Sequence, residues 1–352
     1  MTRVLAVRLD NAGDVLVTGP ALRALARGAE ELVLLAGPHG AAAGRLLPGV
    51  DEVITWRCPW IDPGPAPVDR TEVDRLVGDL GRRGFDRAVV FTSFHQSPLP
   101  TALLLRLAGV PWIGAISEDY PGALLDVRHH VPDDLPEPER ALSLASACGA
   151  RLAPGEPPRL AVRRPLPDVR HLLPEGPFVV LHPGTSVPAR AWPAEAFAGT
   201  AAALRAAGHR VVVTGAPDEA ALTRAVAVAA GGDGTDLGGR TSLADLAAVL
   251  DRASAVVVGN TGPAHLAAAV GTPVVSLFAP TVPAVRWAPY GVPLVLLGDQ
   301  QAPCRDTRVT RCPFEGHPCL TSVTPRDVLE AVEQLCGRKA GATAAAVGGG
   351  TP

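Results

Sequence analysis

The sequence has little lysine, little methionine and few aromatic residues. Lys339 is the only lysine in 352 residues, and methionine occurs once. Any side chain that binds a phosphate by its positive charge is therefore expected to be an arginine. Aromatic residues make up 4% of the chain and apolar residues 47%, which predicts a core of Ala, Val and Leu. The net charge of −3 lacks the basic excess of a general nucleic-acid-binding protein.

Long apolar runs are also missing. None reaches the roughly 20 residues that a membrane-spanning helix needs. Asp10 and Asp14 interrupt the apolar N-terminal stretch, and no small-residue cleavage site follows it, so we predict no signal peptide. We therefore expect a cytoplasmic protein whose six cysteines are mostly reduced. A peripheral contact at the inner face of the plasma membrane stays open.

Two further patterns are incomplete. No G-x-G-x-x-G follows the first predicted strand, which excludes the usual dinucleotide-binding turn. Cys304, Cys312 and Cys319 stand near His317, but their spacing is far from that of a C-x-x-C zinc knuckle. A structural metal, three buried thiols that hold a loop, and a labile disulfide remain as alternatives for this cluster.

The most informative stretch is Ala255–Ala279. The apolar, β-branched run Ala255–Val258 predicts a buried strand, and Gly259–Gly262 predicts a sharp turn into a helix. Gly271 ends that helix, and Val274–Phe278 predicts the next strand. A strand, a helix and a strand in this order indicate a parallel sheet that binds ligands at the carboxyl ends of its strands.

The turn that starts this helix is a candidate phosphate site. Free N–H groups at a helix N-terminus favour an anion. Thr261 and His265 lie four residues apart, so both can stand near the same ligand as hydrogen-bond donors. The alternative is an ordinary helix start, because glycine-rich turns occur throughout doubly wound domains.

The N-terminus repeats the strand–turn–helix pattern. A strand over Val4–Leu9 precedes a turn, and a helix over Val15–Ala26 follows, with a kink or a late start at Gly19 predicted by Pro20. Asp14 at the helix entrance is either a helix cap or a general base held at a ligand site.

The same alternation of strands and helices continues along the chain, so we predict an α/β protein with two doubly wound domains. Residues 1–165 form the first and residues 166–325 the second, with a proline-rich linker over Arg151–Pro177. A C-terminal helix over 326–337 and a disordered, Ala/Gly-rich tail over 338–352 complete the prediction.

Three motifs in this order resemble glycosyltransferase family 9, the heptosyltransferases of lipopolysaccharide synthesis. They are Leu9–Asp14 with Thr18–Leu22, His182–Thr185 with Arg190–Pro193, and Gly259–Leu266 with Gly271–Pro273. The resemblance implies the GT-B fold, in which two Rossmann-like domains face each other across a cleft. It also implies an inverting transfer from a nucleotide-sugar such as ADP-heptose, bound mainly by the C-terminal domain, to a glycan, lipid-linked or small-molecule acceptor. No nucleic acid takes part.

The resemblance also implies roles for single residues. Asp14 matches the catalytic base, Arg190 a basic residue that contacts the diphosphate, and Glu219 an acidic residue at the donor ribose. The remaining candidates are Thr185, Asn260, Thr261, Gly262 and His265 on the donor side and Asn11, Gly13 and His95 on the acceptor side.

One residue departs from the family pattern, because Asn260 stands where the heptosyltransferases carry aspartate. We therefore expect altered hydroxyl contacts to the donor sugar, with a plain helix cap as the alternative. No metal is expected, since Asp133-Asp134 lies in a proline-flanked loop and no other acidic pair suits a diphosphate metal. A GT-B nucleotide-sugar epimerase and a non-catalytic sugar-nucleotide binder remain as alternative functions.

Overall fold

The computed structural model describes the backbone of residues 2–132, 134–231 and 234–347, and side chains as far as residue 337. Its internal contacts divide the chain into two compact units, Met1–Arg163 and Arg164–Pro352. None of the helices in the described ranges is long and apolar enough to cross a membrane.

The first unit alternates strands and helices from its start. Its strands are β1 Arg3–Arg8, β2 Glu31–Ala36, β3 Glu52–Thr55, β4 Arg87–Val90, β5 Ile113–Ile116 and β6 Val127–His129. Its helices are α1 Ala12–Val17, α2 Gly19–Ala26, α3 Ala41–Leu46, α4 Arg70–Arg83, α5 Leu99–Leu107 and α6 Glu137–Ala147.

These strands form one parallel sheet in the order β3-β2-β1-β4-β5-β6. The order reverses between β1 and β4, which pair with Val4 opposite Arg87 and Val7 opposite Val90. In such a sheet the connections leave these two strands toward opposite faces, so a crevice opens at their carboxyl ends. Apolar side chains of β1, β2 and β4 are buried and form the core beneath it.

The second unit is built in the same way. Its strands are β7 Phe178–His182, β8 Arg210–Val213, β9 Thr235–Asp236, β10 Ala255–Gly259, β11 Val274–Leu277 and β12 Leu294–Leu297. Its helices are α7 Ala194–Ala206, α8 Ala220–Ala229, α9 Leu243–Arg252, α10 Gly262–Val270, α11 Ala284–Trp287, α12 Pro318–Thr321 and α13 Pro325–Val347.

The second sheet is parallel as well, with the order β12-β11-β10-β7-β8-β9. Its order reverses between β10 and β7, where Val258 pairs with His182. Each unit therefore has the strand order of a Rossmann-like domain and one crevice of its own. Gly271 ends α10 in the left-handed conformation, at a φ of 86°, which glycine adopts without strain.

The structure confirms one of these expectations and differs from three others. Thr18 separates α1 from α2, so the second helix starts at Gly19, as Pro20 predicts. The residues Leu142–Cys148 predict a helix, but α6 begins five residues earlier, at Glu137, and the short strand β6 corresponds to no predicted strand. Helix α13 continues to Val347, through part of the predicted disordered tail, and residues 348–352 of that tail lie outside the described residues.

Candidate functional site

Asp14 lies at the crevice of the first unit, in the first turn of α1 directly after β1. Asn11 is the N-cap residue of this helix, so Asp14 does not cap it. Its Oδ1 accepts a hydrogen bond from Arg8 Nη2 at 2.9 Å and lies 3.3 Å from Ser93 Oγ. Both contacts fall on Oδ1, and Oδ2 is left without a hydrogen bond to any described residue. The carboxylate is thus held through Oδ1, and the side chain of Asp14 is 17% exposed.

Arg8 is the centre of a buried group of charges. Its side chain is 2% exposed. Its Nε lies 3.0 Å from Asp10 Oδ2, and its Nη1 lies 4.0 Å from Glu137 Oε2. Arg140 approaches the same Glu137 oxygen at 3.6 Å. Three carboxylates and two guanidinium groups are therefore packed together beneath the mouth of the crevice.

Residues that follow β4 complete this network. Gln96 donates from Nε2 to Asp10 Oδ1 at 2.6 Å and accepts from the Ser93 backbone N–H at 2.9 Å. Arg140 donates to the carbonyl of Thr92 at 2.7 Å. Because β1 and β4 are neighbours in the sheet, their carboxyl ends bring these side chains to one edge.

Burial shifts the titration of the network. The pKa of Asp10 is raised, first because burial disfavours its charge and also because Asp14 is near, although Arg8 opposes the shift. Burial likewise raises the pKa of Glu137, against the attraction of Arg8 and Arg140. Burial alone would lower the pKa of Arg8, but the carboxylates around it outweigh this and raise it. The guanidinium is therefore fixed as a cation.

The acceptor-side candidates lie in the same region of the first unit. Asn11 is exposed at the start of α1, and Gly13 is buried within its first turn. His95 is exposed in the loop after β4, where its ring stands edge-on to Phe94 with 5.7 Å between centroids. Their role toward an acceptor stays a prediction.

Sequence reasoning missed most of the network around Asp14. No sequence motif marks the four residues Arg8, Ser93, Glu137 and Arg140, and the sequence predicts Asp10 only as a turn residue. A usable signal was the charge of Arg8 at the end of an otherwise apolar strand, because a buried charge requires partners.

In the second unit, the structure brings two of the three motifs together. Arg190 lies in a single helical turn, Pro188–Arg190, and its Nη1 is 3.4 Å from the carbonyl oxygen of Asn260. A Cβ atom added at Gly259 would stand 3.4 Å from the carbonyl oxygen of Arg190, so the two backbones are also close. Hence a guanidinium meets the turn that starts α10, and both attract an anion.

Glu219 lies against the turn that follows β7. Its carboxylate accepts a hydrogen bond from the Ala216 N–H at 2.8 Å. A Cβ atom added at Gly184 would lie about 2 Å from the carboxylate atoms of Glu219, where no side chain fits. Gly184 is therefore needed for this close contact, and the contact places Glu219 beside the second motif.

The other donor-side candidates line the same two turns. Thr185 accepts a hydrogen bond from the Val187 N–H at 3.3 Å. Thr261 is the N-cap residue of α10, but its side chain makes no capping hydrogen bond. Gly262 is the first residue of the helix, and His265 is buried one turn later. Thr261, Gly262 and His265 therefore form the start of α10, and the contact of all four residues with a ligand remains a prediction.

Asn260 uses its side chain within the protein. It is 6% exposed, and its amide meets the backbone of Ala279, the second residue after β11. Nδ2 donates to the Ala279 carbonyl at 3.3 Å, and Oδ1 accepts from the Ala279 N–H at 3.4 Å. The amide therefore joins the ends of β10 and β11. The N-cap role considered for Asn260 belongs to Thr261.

The cysteine cluster does not converge on one point. Cys304 and Cys319 are both buried, and burial, reinforced by the neighbouring Cys304, raises the pKa of Cys319 to about 12. The Cys312 thiol lies 3.5 Å from the carbonyl of Phe314, and His317 Nε2 lies 3.0 Å from that of Ala189. Among the described residues, no group of three or more His, Cys, Asp or Glu is arranged to hold a metal ion.

Comparisons with known proteins agree with this geometry. The family model described as "Glycosyltransferase family 9 (heptosyltransferase)" matches residues 73–317. The chain is 32% identical over 165 residues to lipopolysaccharide heptosyltransferase 3 of Escherichia coli, covering 45% of this chain and 46% of that one. It is 28% identical over 296 residues to lipopolysaccharide heptosyltransferase 1 of Salmonella typhimurium, covering 80% and 89%. The chain thus spans about half the length of the first of these relatives.

The fold agrees with solved structures as well. The structure of E. coli ADP-heptose lps heptosyltransferase II superposes with a TM-score of 0.73 at 22% identity, covering 96% of this chain and 99% of that one. Two Rossmann-like domains of this kind define the GT-B class of fold. Since the family model covers most of the sequence, the chain belongs to glycosyltransferase family 9.

His182, at the end of β7, provides a prediction about pH. Its ring is buried, with Nδ1 2.9 Å from Thr214 Oγ1, and burial lowers its pKa to about 4. The ordinary pKa is near 6.5, so the unfolded chain takes up the proton first as the pH falls. The neutral ring contributes fully to the free energy of unfolding above about pH 6.5. About 3 kcal/mol of this free energy is lost as the pH falls toward 4. Amide hydrogen exchange of β7 and β10 measures this loss.

His182→Asn is the matched variant, because an amide keeps a polar partner for Thr214 and does not titrate. The difference in exchange protection between wild type and variant should shrink between pH 6.5 and pH 4. An unchanged difference across that range would show that His182 is not the group responsible.

The second prediction concerns Asn260. Asn260→Asp places a carboxylate oxygen against the Ala279 carbonyl and removes the donor that this buried oxygen had. We expect a loss of about 1–3 kcal/mol in the unfolding free energy of the second unit, measured by urea denaturation. Because a protonated carboxyl can donate again, the Asp variant should become more stable relative to Asn260→Ala below about pH 4. An Asp variant as stable as wild type would contradict this account.

Proposed function

We propose that this protein is an inverting glycosyltransferase that transfers a sugar from a nucleotide-diphosphate donor to an acceptor hydroxyl. The observation that carries the proposal is the meeting of Arg190 with the N-terminal turn of α10. The curated relatives are named heptosyltransferases, and the similar E. coli structure is that of an ADP-heptose lps heptosyltransferase. A heptose carried by ADP is therefore the first donor to test.

In this proposal the second unit binds the donor. The leaving diphosphate carries negative charge that the Arg190 guanidinium and the N-terminal turn of α10, which begins at Gly262, stabilise without reorganising. His265 and Thr185 add hydrogen-bond donors around the phosphates. Glu219, held beside Gly184, accepts hydrogen bonds from the ribose hydroxyls.

The first unit supplies the base. Asp14 takes the proton of the acceptor hydroxyl while the hydroxyl oxygen attacks the anomeric carbon. The carbon–oxygen bond to the diphosphate breaks on the opposite side. The anomeric configuration is thereby inverted. Arg8 and Ser93 hold Oδ1, which leaves Oδ2 to meet the hydroxyl. Asn11, Gly13 and His95 are the proposed acceptor contacts.

The names of the relatives make a lipopolysaccharide saccharide the first acceptor to test, with other glycans and small molecules next. With a nucleotide-sugar donor, the reaction is expected in the cytoplasm. With a lipid-linked acceptor, the protein would associate peripherally with the inner face of the plasma membrane. Epimerase activity is disfavoured, because the family model is that of a transferase.

The base assignment is tested by Asp14→Asn. We expect kcat to fall by about 10²–10⁴-fold, because the amide cannot accept the proton. Affinity for the donor nucleotide should stay nearly unchanged. Transfer and donor hydrolysis are followed with purified ADP-heptose, and nucleotide affinity is measured by isothermal titration.

Asp74→Asn is the control, because that exposed carboxylate lies on α4 in an ion pair with Arg70. The kcat of this variant should equal that of wild type. Near-normal turnover of a folded Asp14→Asn protein would remove Asp14 from the chemistry.

The donor assignment is tested by Arg190→Ala. Loss of a charge-assisted contact should weaken ADP binding by about 1.5–3 kcal/mol, or about 10- to 150-fold in Kd, with a much smaller effect on adenosine. The exposed Arg224 of α8 supplies the control Arg224→Ala, for which no change is expected. Equal losses for ADP and adenosine would place Arg190 away from the diphosphate.

A further inference from the structure

The loop Gln300–Leu320 contains the cysteine cluster, and the proposed function so far gives it no role. Its two ends are fixed in the core of the second unit. Cys304 and Cys319 are both buried there, in the same apolar cluster. The N–H of Asp299 donates to the carbonyl of Cys319 at 2.9 Å, which closes the base of the loop. A loop held this firmly can serve as a support for its neighbours.

The middle of the loop is bonded to the turn that follows β11. The N–H of Asp306 donates to the Pro280 carbonyl at 2.9 Å, and that of Arg308 donates to the Thr281 carbonyl at 2.8 Å. Asp306 and Arg308 both take the left-handed conformation, with φ of 59° and 56°, which is costly for residues other than glycine. The surrounding contacts therefore impose the shape of this loop.

The same loop clamps the residue before Arg190. The N–H of Ala189 donates to the Thr310 carbonyl at 3.0 Å, and the Ala189 carbonyl lies 3.0 Å from His317 Nε2. A carbonyl only accepts, so Nε2 carries the hydrogen in this contact. Ala189 is 1% exposed, and its carbonyl would lose a partner if the ring were removed.

We infer that His317 is a positioning residue for Arg190. By holding the Ala189 peptide, it fixes the turn that aims the Arg190 guanidinium at the start of α10, where the donor diphosphate is proposed to bind. The inference rests on the proposed function of Arg190. It gives the loop a mechanical role, in which the buried thiols anchor the loop and the imidazole sets the position of the arginine.

The experiment compares His317→Asn with His317→Gln. His317 has a φ of 50°, a left-handed conformation that asparagine tolerates better than glutamine. The glutamine amide reaches the position of Nε2, whereas the shorter asparagine amide does not. If strain in the left-handed backbone decided the outcome, Asn would be the milder change. If the hydrogen bond to Ala189 decides it, Gln will be the milder change.

We expect His317→Asn to raise the Kd for ADP by about 3- to 10-fold, and His317→Gln to restore it to within about 2-fold. Adenosine affinity should not change in either variant. In an Arg190→Ala background, His317→Asn should have no further effect on ADP, because there is no guanidinium left to position. His171→Asn, at an exposed histidine of the same unit, is the control.

The outcomes separate the two claims. If Arg190→Ala leaves ADP binding unchanged, the proposed role of Arg190 fails. If Arg190→Ala weakens ADP binding but His317→Asn does not, the positioning role is overturned. An additive effect of His317→Asn in the Arg190→Ala background also overturns it, because the histidine would then act independently of the arginine.

Discussion

The reversal of strand order in each sheet is the constraint on which both candidate sites depend. β1 pairs with β4, and β10 pairs with β7, and in each pair the chain leaves the two strands toward opposite faces. The carboxyl ends of such a pair are the place where loops do not cover the sheet. Residues far apart in sequence, such as Asp14 and Ser93, meet there because backbone pairing fixes the strands above which they stand.

The two units differ in the charges that they place at the carboxyl ends of these strand pairs. In the first, Arg8 is buried among carboxylates, and burial raises the pKa of Asp10 and Glu137. Removing one partner would leave a buried charge unpaired, which is strongly destabilising. In the second unit, burial depresses the pKa of His182, and the ring is neutral at physiological pH. The positive potential for an anion then comes from Arg190 and the start of α10.

The sequence predicts the elements well, because apolar runs, glycine stops and prolines act locally. The turn before α10, the end of this helix at Gly271 and the break near Gly19 follow from such local signals. The short strand β6 escapes prediction, because only three residues pair and their side chains are largely outside the core. The partners of Arg8 escape as well, since Glu137 lies 129 positions away and periodicity does not say which side chains meet.

Asn260 shows how local and distant information combine. Family resemblance marks the residue as a departure, and local sequence allows it to cap the helix. The structure adds the distant partner, because the amide both donates to and accepts from the backbone of Ala279. A carboxylate can accept from the N–H but cannot donate to the carbonyl, so the two residues are not interchangeable in this setting. The link between the ends of β10 and β11 therefore ties the identity of residue 260 to the shape of the turn before α10. Any effect of this residue on the donor sugar has to act through that link as well as through direct contact.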